Sequence, residues 1–460
     1  MERPINIPDD PNEATAQLTL EIINRVAGSN EHLAELIRAT ALPHRFDVSV
    51  IEALQAEFDP KINSAKLFER LKTFSFTTEV DEQTLTYHEK SREAILLFWR
   101  EPENMARYVY FSRLLKVYFE TQVDEFEALY HWFVVDADVA FVASEALSKQ
   151  FFKIQYRLTE TEVLVRTLDE QKWQFTDEQL HTLVFTKARL YQMLSNWELA
   201  ISHYKSILNK KDFLTPKVKA ASLSGIGSCL MYLKRDNEAI IALQESIDIA
   251  RKHNEVSDIL ISTLITLGAH YLHRFSESDN KSKTISTLKE ALVLSETHSQ
   301  KLAQCNILSL LGVAYRMLEK KDTAVDYQLR ALEILDEKDS FIYRVRVLRR
   351  LALAYVYIDD TPKAIKYMDE ALAISLKSGS NLSLLSVYRS FGDLYKKTKQ
   401  FLVSIDYYEK ALPIAIDIEA YTIVIDLLNN LINVCREVKE ESKLNFYSKK
   451  LNNLRQKLDV

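Results

Sequence analysis

The stretch LLGVAYRMLEKKDTAVDYQLRALEIL, Leu310 to Leu335, decides how this chain folds. Counted from Gly312, Tyr315 stands three residues on, Ala324 twelve and Ala331 nineteen, and the same offsets return along the C-terminal half. Gly227, Leu230, Ala239 and Ser246 repeat them, as do Ala352, Tyr355, Ala364 and Ala371, and Gly392, Tyr395, Ser404 and Ala411. A copy at Gly268 and Tyr271 takes in an insertion, FSESDNKSK, before resuming at Thr284 and Ala291. A weaker copy holds Ala188, Tyr191 and Ala200, and a degenerate last one centres on Ile432. Origins about 40 residues apart are the mark of a solenoid, whose units bury their apolar faces only against their neighbours.

Each unit reads as two antiparallel helices. Leu308, Leu311, Tyr315 and Leu318 lie at helical spacing, and so do Val325, Leu329 and Leu332. Between them EKKD, and in other copies LKRDN and IDDTP, are polar turns, with Pro362 suited to the first turn of a second helix. The spacing predicts that Gly312 and Ala324 face each other where the two helices cross, while Ala331 admits the next unit.

These residues resemble the tetratricopeptide repeat, in which a Leu-Gly pair, a Tyr and two Ala recur at the same offsets. The resemblance covers roughly residues 180 to 457 and implies that residues 181–460 form an α-solenoid of about seven helical hairpins, each somewhat longer than the family's usual repeat of about 34 residues. The last stretch, EESKLNFYSKKLNNLRQKLDV, reads as a polar cap helix.

Composition agrees with an all-α chain. Of 460 residues only 7 are Gly and 9 Pro, so long helices are favoured over many-stranded sheets, and 47% hydrophobic content suffices for a large core. A net charge of −6 carries no whole-chain basic footprint for nucleic acid or anionic membrane. No apolar run reaches the roughly 20 residues of a membrane span, and MERPINIPDDPNEATAQ lacks the order of a secretory signal. Cys229, Cys305 and Cys435 are isolated among apolar residues and read as core packing in a reducing, cytoplasmic setting.

Residues 18–100 follow a different grammar. EHLAELIRATAL, VSVIEALQAEF and SAKLFERLKTF are short amphipathic helices; FSFTTEVDEQTLTYH is a hairpin around VDEQ; HEKSREAILLFW returns to helix. Three helices, a two-stranded wing and a closing helix describe a winged-helix domain. LIRATALPHRFD, LFERLKTFSF and LTYHEKSREAILLF resemble the winged helix that follows the nucleotide-binding module of STAND ATPases, the class of the bacterial maltose-regulon activator, where a tetratricopeptide-like sensor comes next. Residues 1–17 are then an N-terminal tail, and 101–180 are bridging hairpins carrying EALYHWFVV and ALSKQFFKIQYRL. No G-x-x-x-x-G-K-[ST] phosphate loop occurs in the sequence, so the resemblance implies an arm and sensor without the motor.

No catalytic residue, metal ligand set or cofactor is expected. His270 and His273 share a helix face without a third ligand at fixed spacing. Asp359 and Asp360 precede Thr361 and Pro362, where acids cap a helix. Tyr87 and His88 close the wing and read as packing. Contact with DNA is not expected either, because Lys66, Arg70 and Lys72 on the third short helix are offset by Glu69, Glu52 and Glu57.

The cluster FIYRVRVLRR, with Arg344, Arg346, Arg349 and Arg350 and no acid within it, stands apart. In tetratricopeptide solenoids the concave surface comes from first helices, at positions six and three before the small residue and one, four and five after it. Those offsets select Asn306, Ser309, Arg316 and Met317; Arg346, Arg349, Val356 and Tyr357; Arg389, Asp393, Lys396 and Lys397; and Asn429, Asn433 and Arg436. Asn306, Arg316, Arg346, Arg349, Tyr357, Arg389, Lys396, Asn429, Asn433 and Arg436 form the candidate groove, with its arginines exposed in the free protein. The alternative is an ordinary solvated face. The groove suits a protein or peptide with an acidic segment, so the sequence reads as a non-catalytic sensor or adaptor. Two other readings stay open: a peptide-responsive DNA-binding regulator, and the regulatory partner of a separately encoded bacterial defence enzyme. Oligomeric state is not legible in the sequence.

Overall fold

The computed structural model describes residues 11–56, 58, 61–151, 158–210, 214–253, 257–277, 279–336, 341–418 and 420–458. They fall into two compact units, Met1–Ser195 and Asn196–Val460. Among the described residues no helix is long and apolar enough to cross a membrane. Apart from one two-stranded hairpin the elements of the described residues are helices, as expected, and each unit has its own core.

The N-terminal unit opens with α1 (Pro11–Ala27), which starts inside the stretch expected as a tail. Then come α2 (Glu31–Ala39), α3 (Val48–Leu54) and α4 (Ser64–Lys72), each started by a polar side chain: Asn30, Asp47 and Asn63 accept from the backbone N–H groups of Leu33, Val50 and Lys66. The hairpin β1 (Thr77–Asp81) and β2 (Thr84–Tyr87) is antiparallel, with Thr77 opposite Tyr87 and Glu79 opposite Leu85. Phe46 adds a bridge to Leu85 that the sequence reading did not foresee. The unit continues through α5 (Glu89–Arg100), α6 (Met105–Thr121), α7 (Glu125–Val135), α8 (Ala137–Gln150), α9 (Leu158–Gln171) and α10 (Asp177–Met193). Of ALSKQFFKIQYRL, residues 152–157 lie outside the described residues. One core gathers Leu36, Phe46, Leu71, Leu85, Tyr87 and Trp99, so the hairpin is packed against the short helices. The Tyr87 hydroxyl donates to the Ile37 carbonyl at 2.9 Å, a packing role for that residue.

A polar network ties this unit together. The His44 Nδ1 lies 2.6 Å from Glu127 Oε1 and its Nε2 3.0 Å from Glu170 Oε1. Arg92 meets Glu170 Oε2 at 3.1 Å and donates to the carbonyls of Ala41 and Leu42 and to the Tyr130 hydroxyl. Burial pulls the His44 imidazole down, but its bonds to Glu127 and Glu170 outweigh that and hold it above its ordinary value. Burial works against Glu170 ionising too, yet His44 and Arg92 bring its carboxyl down to about 2. Next to this network, His131 is fully buried, and burial drives it well below the usual range, so it stays neutral.

The C-terminal unit is α11 (Trp197–Leu208) followed by six hairpins. These are α12 (Pro216–Tyr232) with α13 (Asp236–Lys252), α14 (Ser257–His273) with α15 (Asn280–Thr297), and α16 (Lys301–Met317) with α17 (Lys321–Glu333). After them come α18 (Phe341–Tyr357) with α19 (Thr361–Ser378), α20 (Asn381–Lys397) with α21 (Phe401–Asp417), and α22 (Tyr421–Glu437) with the cap helix α23 (Glu441–Leu458). First helices also touch first helices, α12 to α14, α14 to α16, α16 to α18 and α18 to α20, and so build a layer of their own.

The crossing inside each hairpin differs from the expectation in its partner. A methyl group added at Gly312 runs into Gln328 rather than Ala324, and at Gly227, Gly268 and Gly392 it runs into Leu243, Leu288 and Tyr408. The small residue therefore makes room for a large side chain one turn beyond the expected alanine. Gln328 is held at both ends: its Oε1 accepts from Ser309 Oγ at 3.0 Å and its Nε2 donates to the Ser309 carbonyl at 2.8 Å. The turn after five of the six first helices, all but α14, has a second constraint. Lys234, Glu319, Asp359, Lys399 and Lys439, all seven residues past the repeat origin, have φ between 58° and 61°. The following N–H reaches back to close the helix end, as Lys320 N to Tyr315 O at 3.0 Å, so the motif is a Schellman cap built without glycine. Asp360 then caps α19 from Lys363 N, and Pro362 sits in its first turn. Cys229, Cys305 and Cys435 are buried and form no disulfide among the described residues, and burial pushes Cys229 up to about 12.

Three outcomes follow for stability. Gly312→Ala should cost about 1–3 kcal/mol in urea unfolding, because the doubly bonded Gln328 cannot swing aside; the loss should largely vanish in a Gln328→Ala background, and an equal loss there would refute the clash. Lys399 is exposed and left-handed, so Lys399→Gly should raise stability by about 0.5–1 kcal/mol, the difference between relieved strain and a more flexible unfolded chain. A lowered unfolding midpoint would contradict this. A histidine whose value is raised by folding stabilises below its unfolded value of about 6.5 and ceases to as pH rises through the folded one. The stability gap between wild type and His44→Gln should accordingly be widest below about pH 6.5 and narrow as the pH rises above it, read by tryptophan fluorescence. A gap independent of pH would show that His44 does not titrate against its carboxylates.

Candidate functional site: the first-helix face of the repeats

The arginine-rich helix α18 has no acid of its own, and its neighbours in the first-helix layer supply few. Arg344 turns away to Glu370 at 3.0 Å. Arg346 lies over the Tyr343 ring, 5.2 Å from its centre. Arg349 reaches forward, its Nε donating to Ser390 Oγ on α20 at 2.8 Å. Arg350 reaches backward, its Nη1 donating to Ser309 Oγ on α16 at 2.9 Å, and through Ser309 joins the buried Gln328.

The other selected residues link the same helices. Tyr357 is flanked by Arg316 from α16 and Lys397 from α20, each 4.8 Å from the ring centre. Arg389 meets Asp426 on α22 at 3.4 Å, and Lys396 donates to Asn430 at 2.9 Å. Asp393 accepts from the Tyr408 hydroxyl at 2.7 Å. Arg316, Arg346, Arg349, Tyr357, Arg389 and Lys396 thus bridge neighbouring first helices or lie beside residues that do. Asn306 and Asn429 are half-buried, while Asn433 and Arg436 are exposed; none of the four joins these contacts among the described residues.

Two positions depart from the expectation. Val356 is buried and belongs to the core instead of the groove. Arg349 is half-buried rather than exposed: burial, and then the charges of Arg346 and Arg389, push it down to about 10, with Asp393 alone opposing. Burial and the charges of Arg346 and Arg349 push Arg350 down to about 9. A guanidinium does not give up its proton under these conditions, so both shifts describe a positive charge short of compensation. Arg350 and the serine partners Ser309 and Ser390 complete the face. The offsets select Ser309 but not its bond, and they pass over Arg350 and Ser390, which the bare run of arginines and the small polar residues of α20 signal only weakly.

Elsewhere charges cancel locally. In an open cleft of the N-terminal unit, Arg107 pairs with both oxygens of Glu35 at 2.5 and 2.6 Å. His270 lies 3.6 Å from Asp236, and burial lowers it. No group of three or more His, Cys, Asp or Glu able to hold a metal occurs among the described residues.

With this geometry in view, the chain can be set beside known proteins. The tetratricopeptide repeat family matches residues 343–417, and the family of anaphase-promoting complex subunit 5 matches 149–209, 221–271 and 414–458. No match to a curated protein is found. A Rap protein solved in complex with competence and sporulation factor superposes with a TM-score of 0.53 at 16% identity, over 78% of this chain and 99% of its own. A STAND protein with a tetratricopeptide repeat sensor from Pyrococcus horikoshii gives 0.52 at 16% identity, over 97% of this chain and 62% of its own. The apo form of the quorum sensor NprR from B. thuringiensis gives 0.50 at 14% identity, over 76% and 99%. At such identities the likeness is one of fold: this is a chain with tetratricopeptide repeats, built as an α-solenoid.

Proposed function

We propose that the protein is a non-catalytic regulatory adaptor that binds an acidic segment of a protein or peptide along the first helices of its repeats. One observation carries this reading. Five arginines, Arg316, Arg346, Arg349, Arg350 and Arg389, gather on neighbouring first helices, where Asp426 pairs with one of them and Asp393 is already bonded to Tyr408. Such a surface stores unfavourable electrostatic energy in the free protein that an anionic partner relieves, and arginine forks grip carboxylates with two parallel hydrogen bonds. The Rap protein and the quorum sensor share the solenoid fold, and the former was solved with competence and sporulation factor, which supports a role in receiving a signal.

In this reading residues 18–100 are a winged-helix module used for packing, 101–180 bridge it to the repeats, 181–460 bind, and the setting is cytoplasmic. The order of three short helices, hairpin and closing helix supports the module. Its third helix is poorly suited to DNA: Lys72 is engaged with Glu69 and the Glu82 carbonyl, and Arg70 donates to the Val26 carbonyl. That weighs against the DNA-binding alternative and leaves the partner of a separately encoded enzyme as a form of the same adaptor role.

The test uses Arg346 and Arg389, since Arg349 is tied to Ser390 and cannot be reversed without disturbing that contact. The native partner, isolated on the wild-type protein, should bind Arg346→Glu/Arg389→Glu at least about ten-fold more weakly, the value of one charge-assisted contact. Circular dichroism should be unchanged. Equal affinity for both forms would return the arginines to an ordinary solvated face.

A further inference from the structure

The uncompensated charge on α18 says more about the ligand than that it is acidic. Arg346, Arg349 and Arg350 stand at i, i+3 and i+4 and so share one helix face, spanning about 6 Å along the axis. Arg349 and Arg350 each commit one nitrogen to a serine, Ser390 and Ser309, and these bonds hold both forks in place. Arg346 makes no hydrogen bond among the described residues. None of the three contributes a nitrogen to the buried polar atoms that lack a partner, so their remaining N–H groups stay open toward a ligand.

Charge balance separates the possible occupants. A carboxylate brings one negative charge and two acceptor oxygens to three guanidiniums, and with Arg316 and Arg389 close by it leaves most of the excess standing. A phosphoryl monoester brings about −1.5 to −2 and three acceptor oxygens, matched to several forks at once. The two half-buried arginines, held down by burial and by the charges of neighbouring arginines, are where the second charge has most effect, because water screens them less than an exposed side chain.

We propose that Arg346, Arg349 and Arg350 form a subsite for the phosphoryl group of a phosphorylated side chain in the bound segment. The subsite rests on the acidic-groove reading and narrows it. The three share one helix face and lie close enough for the charge of Arg346 to act on both of the others, while Ser390 and Ser309 fix two of the forks from the helices on either side.

The experiment compares three pools of labelled peptides with randomised flanks and a central phosphoserine, glutamate or serine, retained on the immobilised full-length protein. The phosphoserine pool should be retained about ten-fold or more above the glutamate pool, a margin equal to one additional charge-assisted contact. Arg350→Gln should remove that margin, and Arg346→Gln should reduce it with unchanged helicity. Equal retention of the phosphoserine and glutamate pools, both above serine, would overturn the phosphoryl subsite and leave the acidic groove standing. Retention of neither above serine would overturn the groove itself and the subsite with it. Inorganic phosphate is the competing source of the same chemistry: displacement of the phosphoserine pool by micromolar phosphate would assign the arginines to the free ion and overturn the peptide assignment.

Discussion

Two helices can cross closely only where one of them yields space. In four of the six hairpins of this solenoid the first helix yields it, with Gly227, Gly268, Gly312 or Gly392 at the origin, and the second helix fills it with Leu243, Leu288, Gln328 or Tyr408; in a fifth, Ala352 and Met368 stand at the same offsets and are both buried. The rest of the C-terminal unit depends on this exclusion. It fixes the rotation of every first helix about its own axis, and with that which residues enter the first-helix layer. In five of the six hairpins a left-handed turn seven residues past the origin closes the other end, α14–α15 being the exception. Repetition then does what no single unit could: residues 40 positions apart become lateral neighbours, and Arg349 finds Ser390 while Arg350 finds Ser309.

The two polar clusters of the protein show the difference between electrostatics that stabilise and electrostatics that wait for a partner. Around His44 the charges balance. Glu127 and Glu170 face His44 and Arg92, carbonyls take up further donors, and the pairs are fixed at hydrogen-bond distance. Glu127 Oε2 alone of these carboxylate oxygens is buried without a hydrogen-bond partner, and the paired members hold the unit together. Around Arg349 the balance fails. Desolvation and repulsion act together, and the small hydroxyls of Ser309 and Ser390 satisfy geometry without supplying charge. Evolution of a core does not require such a cluster, since an aliphatic side chain would fill the space at lower electrostatic cost.

The repeat register was legible because it rests on size and spacing, which a sequence displays directly. Gly312, Ala324, Tyr315 and their counterparts announce helix, turn and period before any coordinates exist, and the same register brought Arg316, Arg346, Arg349, Tyr357, Arg389 and Lys396 forward as surface candidates. The choice of Gln328 over Ala324 as the residue facing Gly312 was not legible, because it depends on the crossing angle and on how far a side chain leans along its helix. Val356 illustrates the same limit: a rule of offsets places it in the groove, and the packing of α18 against its neighbours turns it inward.

What the sequence determined by itself, then, is the periodic part of the protein: all-α architecture, hairpins of helices, buried thiols, and a run of arginines with no acid beside it. Each follows from local chemistry repeated at fixed intervals. The tertiary structure alone decided which groups meet across long separations. His44 meets residues 83 and 126 positions away, and Arg350 bonds a serine 41 positions back. It also decided how deeply each arginine is set, and so how much its charge matters, because burial is a property of the assembled layer of helices and has no counterpart in the spacing of residues along the chain.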